Sequence, residues 1–287
     1  MGNFGRMANR RALVLGGGGV TGIAWMTGLL AGLSEAGIDL GDADLVVGTS
    51  AGSVVGAQLL SRTPIADLYA EQLEEREGEL AAKLGIGFML RFVAHALWPR
   101  DERLARARLG RAALATPTVP ESERLEVISR RLPSQSWPEG RLLITTVDVE
   151  SGEAVTFHRD SGVSLAEAVS ASCAVPLVWP PMTINGRRHV DGGVRSIANA
   201  DLATGCDRVV VLAPVTRALR RSGRISTQLA SLGPDVRSMV VSPDANARQA
   251  IGGNVLDPAR RQASALAGHA QASGVASEVA AVWSSKG

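Results

Sequence analysis

Apolar residues first gather from Arg11 to Leu15, a short run closed by glycines, with the length and flanks of a buried strand. From Ile23 to Ala36 they recur at helical spacing until Gly37 stops them. Asp44 to Gly48 reads as a second strand and Ala51 to Leu60 as a second helix. Strand, helix, strand, helix with short connections predicts a right-handed parallel unit, and with it an α/β fold. The stretch 64–132 breaks this rhythm. It is rich in Glu, Arg, Leu and Ala, and reads as a helical insertion between the second helix and the later strands. Leu142 to Val149 and Ala154 to Phe157 alternate like strands joined at Ser151-Gly152. Leu165 to Ser172 reads as a short helix stopped by Pro176. Arg188 to Val190, Arg208 to Leu212 and Ser238 to Val241 read as further strands. Asp257-Pro258 joins a helix cap to a first-turn proline and opens a final helix to about Trp283. With no repeat and no long linker, the pattern predicts one domain over 1–287. Its architecture is a central, mostly parallel sheet with helices on both faces.

Composition narrows the function classes. Of 287 residues, 45% are hydrophobic, which is enough to fill a core and excludes a wholly disordered chain. Thirty basic and 28 acidic side chains leave +2, dispersed along the chain, and there is one tyrosine. A nucleic-acid surface wants a basic stripe or aromatic platforms, so no nucleic-acid partner is expected. Two cysteines, Cys173 and Cys206, make no disulfide framework and no C-x-x-C zinc pair, so a reducing, cytoplasmic setting is expected. Ala12 to Ser34 carries no charge and follows Arg10-Arg11, which imitates a signal peptide or a membrane span. Seven glycines in that run make it a poor spanning helix and a better strand, loop and helix.

Three motifs carry candidate chemistry. In the first, Gly17, Gly19 and Gly22 fit G-x-G-x-x-G between a strand and a helix, a backbone nest for an anion at a helix N-terminus. A dinucleotide site also needs an acidic residue at the end of the next strand, and that strand ends Val47-Gly48-Thr49-Ser50, with Asp44 at its wrong end. In the second, Gly48-Thr49-Ser50-Ala51-Gly52 is G-x-S-x-G at a strand-to-helix junction, the context of a nucleophile elbow. Gly48 and Gly52 clear the sharp fold, and Ser50 stands at a helix N-terminus that favours a developing alkoxide. The third is Val190-Asp191-Gly192-Gly193, a carboxylate at a strand end before two glycines, which by itself reads as an ordinary turn. None of the four histidines, His95, His158, His189 and His269, has a context of its own as a partner for the serine.

Together and in this order the motifs resemble the patatin-like phospholipase family. Ser170-Ala171-Ser172-Cys173-Ala174-Val175-Pro176, Trp179-Pro180-Pro181 and Asn199-Ala200-Asp201 are similar to that family as well. The resemblance runs over about 12–214 and is weakest in the helical insertion. It implies a Ser–Asp dyad, with Ser50 attacking an ester carbonyl and Asp191 taking its proton and later activating water. Amides around Gly17, Gly18 and Gly19 would hold the oxyanion, supported by Gly22, Gly48, Gly52, Gly192 and Gly193. The implied substrate is a lipid or other ester, and no metal or organic cofactor is implied. The family often carries Arg or Lys in the nest where this chain has Thr21, a departure that bears on whether the ester is a phospholipid.

Two rivals stand beside this reading. One is an α/β-hydrolase esterase or thioesterase whose Ser–Asp–His triad would use His269, which has the right chain order. The other is a catalytically silent lipid-binding protein on the same fold. Gly85 to Trp98 is apolar on most faces and is expected as a core helix of the insertion, with an interfacial lid as the alternative. The basic run from Arg100 to Arg111 is interrupted by acidic residues. Peripheral membrane contact follows from the lid reading only.

Overall fold

The computed structural model describes residues 9–74, 92–95, 97 and 99–284. The chain opens with β1 (Arg11–Leu15), α1 (Gly19–Glu35), β2 (Leu45–Gly48) and α2 (Ala51–Leu59), the four elements that hydrophobic periodicity predicts. Helices α3 (Ile65–Leu73), α4 (Glu102–Leu114) and α5 (Glu121–Ser129) follow. Most of the apolar segment 85–98 lies outside the described residues. Next come the hairpin β3 (Leu142–Asp148) and β4 (Ala154–Phe157), then α6 (Leu165–Ser172), β5 (Met182–Ile184) and β6 (Arg187–Asp191). The chain continues through β7 (Arg208–Leu212), α7 (Ile225–Ser231), β8 (Arg237–Val241), α8 (Ala245–Ile251) and α9 (Arg261–Trp283).

Eight strands form one sheet in the order β5-β6-β3-β2-β1-β7-β8, with β4 paired to β3. The run from β3 to β8 along this order is parallel, while β4 and β6 pair antiparallel with β3, and β5 antiparallel with β6. Strand alternation divides the core in two. Leu13, Leu15, Val46, Val210 and Leu212 face the layer of α1, α2, α6 and α9. Ala12, Val14, Leu45, Val47, Val209 and Val211 face the other layer, made by α7 and a short turn at Ala200–Ala203. A sheet covered on both faces needs apolar residues at every strand position, hence the continuous run L-V-L in β1 and V-V-V-L in β7.

Two helix starts and three short elements differ from the sequence reading. Helix α1 starts at Gly19 rather than at Ile23, because the Gly22 N–H already bonds to the Gly18 carbonyl at 2.8 Å. Asp257-Pro258 opens a 3-10 turn, Pro258–Arg260, and the α-helix proper begins at Arg261. Strand β5 was hidden behind Pro180-Pro181, and α7 and α8 are too short, at seven residues each, for periodicity to declare them. No helix among the described residues is long and apolar enough to cross a membrane; the uncharged run Ala12 to Ser34 folds as β1, the glycine loop and α1.

Candidate active site

The site lies at the carboxyl ends of the parallel strands. From β1 the connection through α1 leads to β2 on one side, while β7 lies on the other. Ligands of open α/β sheets bind beside such a reversal of strand order. The glycine loop leaves the carboxyl end of β1, and Ser50 follows the carboxyl end of β2.

The register explains how Asp191 reaches Ser50 across 140 intervening positions of sequence. On β3, Gly48 of β2 pairs with Ile144, whereas Asp191 of β6 pairs with Thr146. Strands β2 and β6 thus use successive halves of one edge of β3 and run towards each other. Their carboxyl ends meet at Thr145. The Ser50 side chain stands beside the Asp191 carboxylate there and favours its ionised form. Both residues are buried.

Ser50 has φ 52 and ψ −118, a backbone state that costs a non-glycine residue on the order of 1–3 kcal/mol and persists only when its surroundings enforce it. Those surroundings are visible. The Ser50 N–H donates to Ser172 Oγ at 2.9 Å, and the Ser50 carbonyl accepts from Ser53 N–H at 2.8 Å and from Ser53 Oγ at 2.7 Å. A β-carbon on Gly52 would sit 1.9 Å from the Leu15 carbonyl oxygen, and one on Gly48 would lie 2.6 Å from Ser53 Cα. The turn closes only with hydrogen at both places.

Asp191 is fixed from its own end. Its N–H donates to the Ala174 carbonyl at 3.0 Å, and its Oδ1 accepts from Gly193 N–H at 2.7 Å. A β-carbon on Gly192 would fall 2.2 Å from Thr145 Oγ1, and one on Gly193 would fall 2.9 Å from Asp191 Oδ1. Burial pushes the Asp191 carboxyl up to about 6. The neighbouring Ser50 hydroxyl, the hydrogen bond from Gly193 and the charge of Arg124, which lies over the Trp179 ring, oppose that rise.

The nest resolves into two kinds of amide. Gly16 N–H donates to Leu212 O at 2.9 Å and Gly17 N–H to Ile197 O at 2.8 Å. Gly18 and Gly19 stand at the open start of α1, where amides have no intrahelical acceptor. Gly17 remains the residue that lets the loop approach the serine: its β-carbon would lie 3.5 Å from Ser50 Cβ. Gly22 faces Pro214 and Ala51, so the starts of α1 and α2 converge on the same spot. Thr21 is buried and turns its hydroxyl to the Val255 carbonyl at 3.2 Å, so position 21 offers the nest a hydroxyl rather than a cation.

A buried polar hub holds these parts together, and sequence reading gave it no role. Asn199 Nδ2 donates to Ser196 O at 2.8 Å, Thr49 Oγ1 at 3.0 Å, Thr145 Oγ1 at 3.3 Å and Gly192 O at 3.4 Å. Thr145 Oγ1 in turn donates to Thr49 Oγ1 at 2.9 Å. One side chain thereby links the elbow, β3 and the D-G-G turn. Asn199 has φ 53, the left-handed conformation that asparagine tolerates. Its place two residues before Asp201 was the available signal, since Arg195 bridges Asn199 Oδ1 and the Asp201 carboxylate. Ser172 was signalled only by its place in the Ser170 to Pro176 segment.

His158, His189 and His269 are engaged away from Ser50. His269 Nε2 pairs with Glu35 at 3.0 Å and stacks on Tyr69. Glu35 ends α1, whose start is the nest, so sixteen residues of helix at about 1.5 Å each separate the two. His189 Nδ1 faces Thr146 Oγ1, and His158 Nδ1 accepts the Asp160 N–H. Cys173 is buried beside Ser53, and burial pushes its thiol up to about 11, which leaves it unreactive.

Comparison with known proteins finds one matching family model and similar solved structures. The family model described as "Patatin-like phospholipase" matches residues 13–204, which include the nest, the elbow, Asp191 and Asn199. Among solved structures the chain is similar to VipD from Legionella pneumophila at 14% identity and a TM-score of 0.45, over 94% of this chain and 67% of that one. It is also similar to the type III effector protein ExoU at 18% identity and a TM-score of 0.40, over 94% of this chain and 53% of that one.

Proposed function

The chain belongs to the patatin-like phospholipase family, and from that premise we propose that it is a serine hydrolase of lipid carboxylic esters working through a Ser50–Asp191 dyad. The observation that carries this reading is a strained, buried Ser50 at a helix start set beside a buried carboxylate. As the ester carbonyl approaches, Asp191 accepts the Ser50 proton while Ser50 Oγ adds to the carbonyl carbon. The amides of Gly18 and Gly19 receive the oxyanion, each such donor being worth roughly 3 kcal/mol in the transition state. Gly17, whose N–H is bonded to Ile197, acts by clearing space rather than as a donor. Collapse of the tetrahedral intermediate expels the alcohol with the proton held on Asp191. Water then attacks the acyl-enzyme, activated by the same carboxylate.

An aspartate is ordinarily a weaker base than imidazole, and burial that lifts it to about 6 narrows that deficit. The triad rival loses support because His269 is paired with Glu35 beyond the far end of α1. A fluorophosphonate should label the chain at Ser50, mapped by peptide mass spectrometry, and the chain should hydrolyse members of a lipid ester panel. Ser50→Ala should remove both labelling and turnover, by several orders of magnitude in kcat/KM, with an unchanged circular dichroism spectrum. Undiminished labelling of the Ser50→Ala protein would refute the assignment.

A further inference from the structure

Strand pairing carries the dyad only part of the way. The β2 ladder against β3 ends at Gly48, opposite Ile144, and the β6 ladder ends at Asp191, opposite Thr146. Thr49 and Ser50 lie beyond the first ladder, and Gly192 and Gly193 beyond the second. What joins the two turns directly is side chains. Thr145, in the middle of β3, donates from Oγ1 to Thr49 Oγ1 at 2.9 Å, and the same oxygen would lie 2.2 Å from a β-carbon on Gly192. Asn199 Nδ2 reaches both turns, Thr49 Oγ1 at 3.0 Å and the Gly192 carbonyl at 3.4 Å. The residue before Ser50 and the residue after Asp191 thus share one hub.

An amide side chain carries two N–H donors on one atom and an acceptor on the other, and its partners decide which way it faces. Arg195 decides it here. Its Nη1 donates to Asn199 Oδ1 at 2.7 Å and to Asp201 Oδ1 at 3.0 Å, and a guanidinium can only donate. Nδ2 is therefore turned to Ser196 O, at 2.8 Å, and to the two turns. Thr49, Thr145 and Asn199 are all buried, where a polar group left without its partner costs more than one returned to water. The position also demands φ 53, which asparagine tolerates.

We propose that Asn199 is a positioning residue for the dyad: acting with Thr145, it holds Thr49 and Gly192 at one spacing and so keeps Asp191 beside Ser50. This role rests on the Ser50–Asp191 reading and involves no contact with substrate. A displacement of about 1 Å between reacting groups can cost on the order of 100-fold in rate, so a hub of this kind acts on turnover rather than on binding.

Asn199→Gly removes the amide and leaves a residue at ease with φ 53. In the full chain it should lower kcat on p-nitrophenyl butyrate about 100-fold, change KM by no more than about threefold, and slow fluorophosphonate labelling of Ser50 in parallel. All of the serine should still label, only more slowly. A smaller labelled fraction reacting at the parent's rate would mark a loss of folded protein alone and would overturn the proposal, as would an unchanged rate. Thr49→Val should act like Asn199→Gly, Thr49→Ser should recover most of that loss, and the double change Asn199→Gly with Thr49→Val should cost little more than either, because both break one bond. Fully additive losses would separate Thr49 from Asn199 and overturn the hub. Hydrogen exchange read by peptide mass spectrometry needs no turnover. Ser50 N–H is bonded to Ser172 and Gly193 N–H to Asp191, and the segments carrying them should exchange about tenfold faster or more in Asn199→Gly, both together. If the parent neither labels nor turns over ester, the hydrolase reading fails and exchange decides the hub: a joint rise supports it, and a rise at one turn or at neither overturns it. Should Asn199→Gly fail to fold, Thr49→Val against Thr49→Ser decides by the same rates and the same exchange.

Discussion

At the scale of single residues, Asp191 joins two demands that conflict. As the proposed base it must be ionised, yet burial disfavours that state and lifts its carboxyl from the ordinary value to about 6. The sign for activity follows: kcat/KM should be level above about pH 7 and should fall close to tenfold per pH unit below about 6, as protonation removes the base. The sign for stability is opposite. A carboxyl whose folded pKa lies above its unfolded value near ~4 destabilises the fold wherever it is ionised, and the penalty fades as pH falls through 6 towards 4. A rise of two units corresponds to roughly 3 kcal/mol at full ionisation. Asp191→Asn keeps the shape, can still accept the Gly193 N–H, and carries no charge. It should lose activity nearly as completely as Ser50→Ala while unfolding in urea no earlier than the parent at pH 8. Near-normal turnover by Asp191→Asn would reduce the D-G-G to a turn. Ser50 was legible as a candidate nucleophile from its glycine-marked turn, whereas Asp191 entered as its partner only through the family resemblance. The hub roles of Asn199, Thr145 and Ser172 were not, because the bonds that tie them to the elbow join residues far apart in sequence and leave no local pattern.

At the scale of elements, glycine sets how closely the pieces approach. The elbow places α2 against β1 so tightly that Gly52 has no room for a methyl group: its β-carbon would meet the Leu15 carbonyl oxygen at 1.9 Å and the Leu15 carbonyl carbon at 2.4 Å. Both are backbone atoms of a buried central strand, so relief requires moving α2 or β1 as a body. Gly52→Ala should destabilise by about 3 kcal/mol or more, beyond the ordinary range of overpacking, and should abolish activity even in the fraction that folds. Gly37→Ala is the matching control: nothing lies within 4 Å of its β-carbon, so only the strain of φ 80 is felt. Thermal melts of the two variants beside the parent check the contrast, and equal small losses would show that the α2–β1 approach yields more easily than its geometry suggests. Element identity was legible wherever one periodicity ran for several residues, as in β1, α1, β2, α2, β3, α6 and β7. It was not legible for β5, whose three residues follow two prolines, nor for α7 and α8.

At the scale of the whole molecule, the family match ends at residue 204, before β7, β8 and α9, yet these elements complete the core on which the site rests. Helix α9 lies along α1, the helix that begins in the nest. A β-carbon on Gly28 would meet the Ala265 carbonyl oxygen at 2.0 Å, and one on Gly268 would meet the Trp25 carbonyl oxygen at 2.2 Å, so the two backbones touch. Trp25 Nε1 donates to Gln271 at 3.0 Å, Trp283 Nε1 to the Asp39 carbonyl at 2.9 Å, and Arg208 bonds to the Trp283 carbonyl. The helix after Asp257 was legible from its cap and proline, but its partner was not. A helix dominated by alanine, glycine and serine carries a weak apolar stripe, and what the stripe packs against depends on glycines more than two hundred residues away. Truncation after Asp257 would bare Trp25, Leu29 and Leu33, all fully buried in the intact chain. At roughly 1.5–3 kcal/mol for each such side chain, the loss is comparable with the ~5–15 kcal/mol by which a domain is typically stable. The truncated chain should therefore be insoluble or molten, binding a hydrophobic dye and taking no fluorophosphonate label, although the elbow, the nest and Asp191 are all retained. A soluble truncated chain that labels at Ser50 at the parent's rate would place the folding unit within the family-matched segment and leave α9 an accessory.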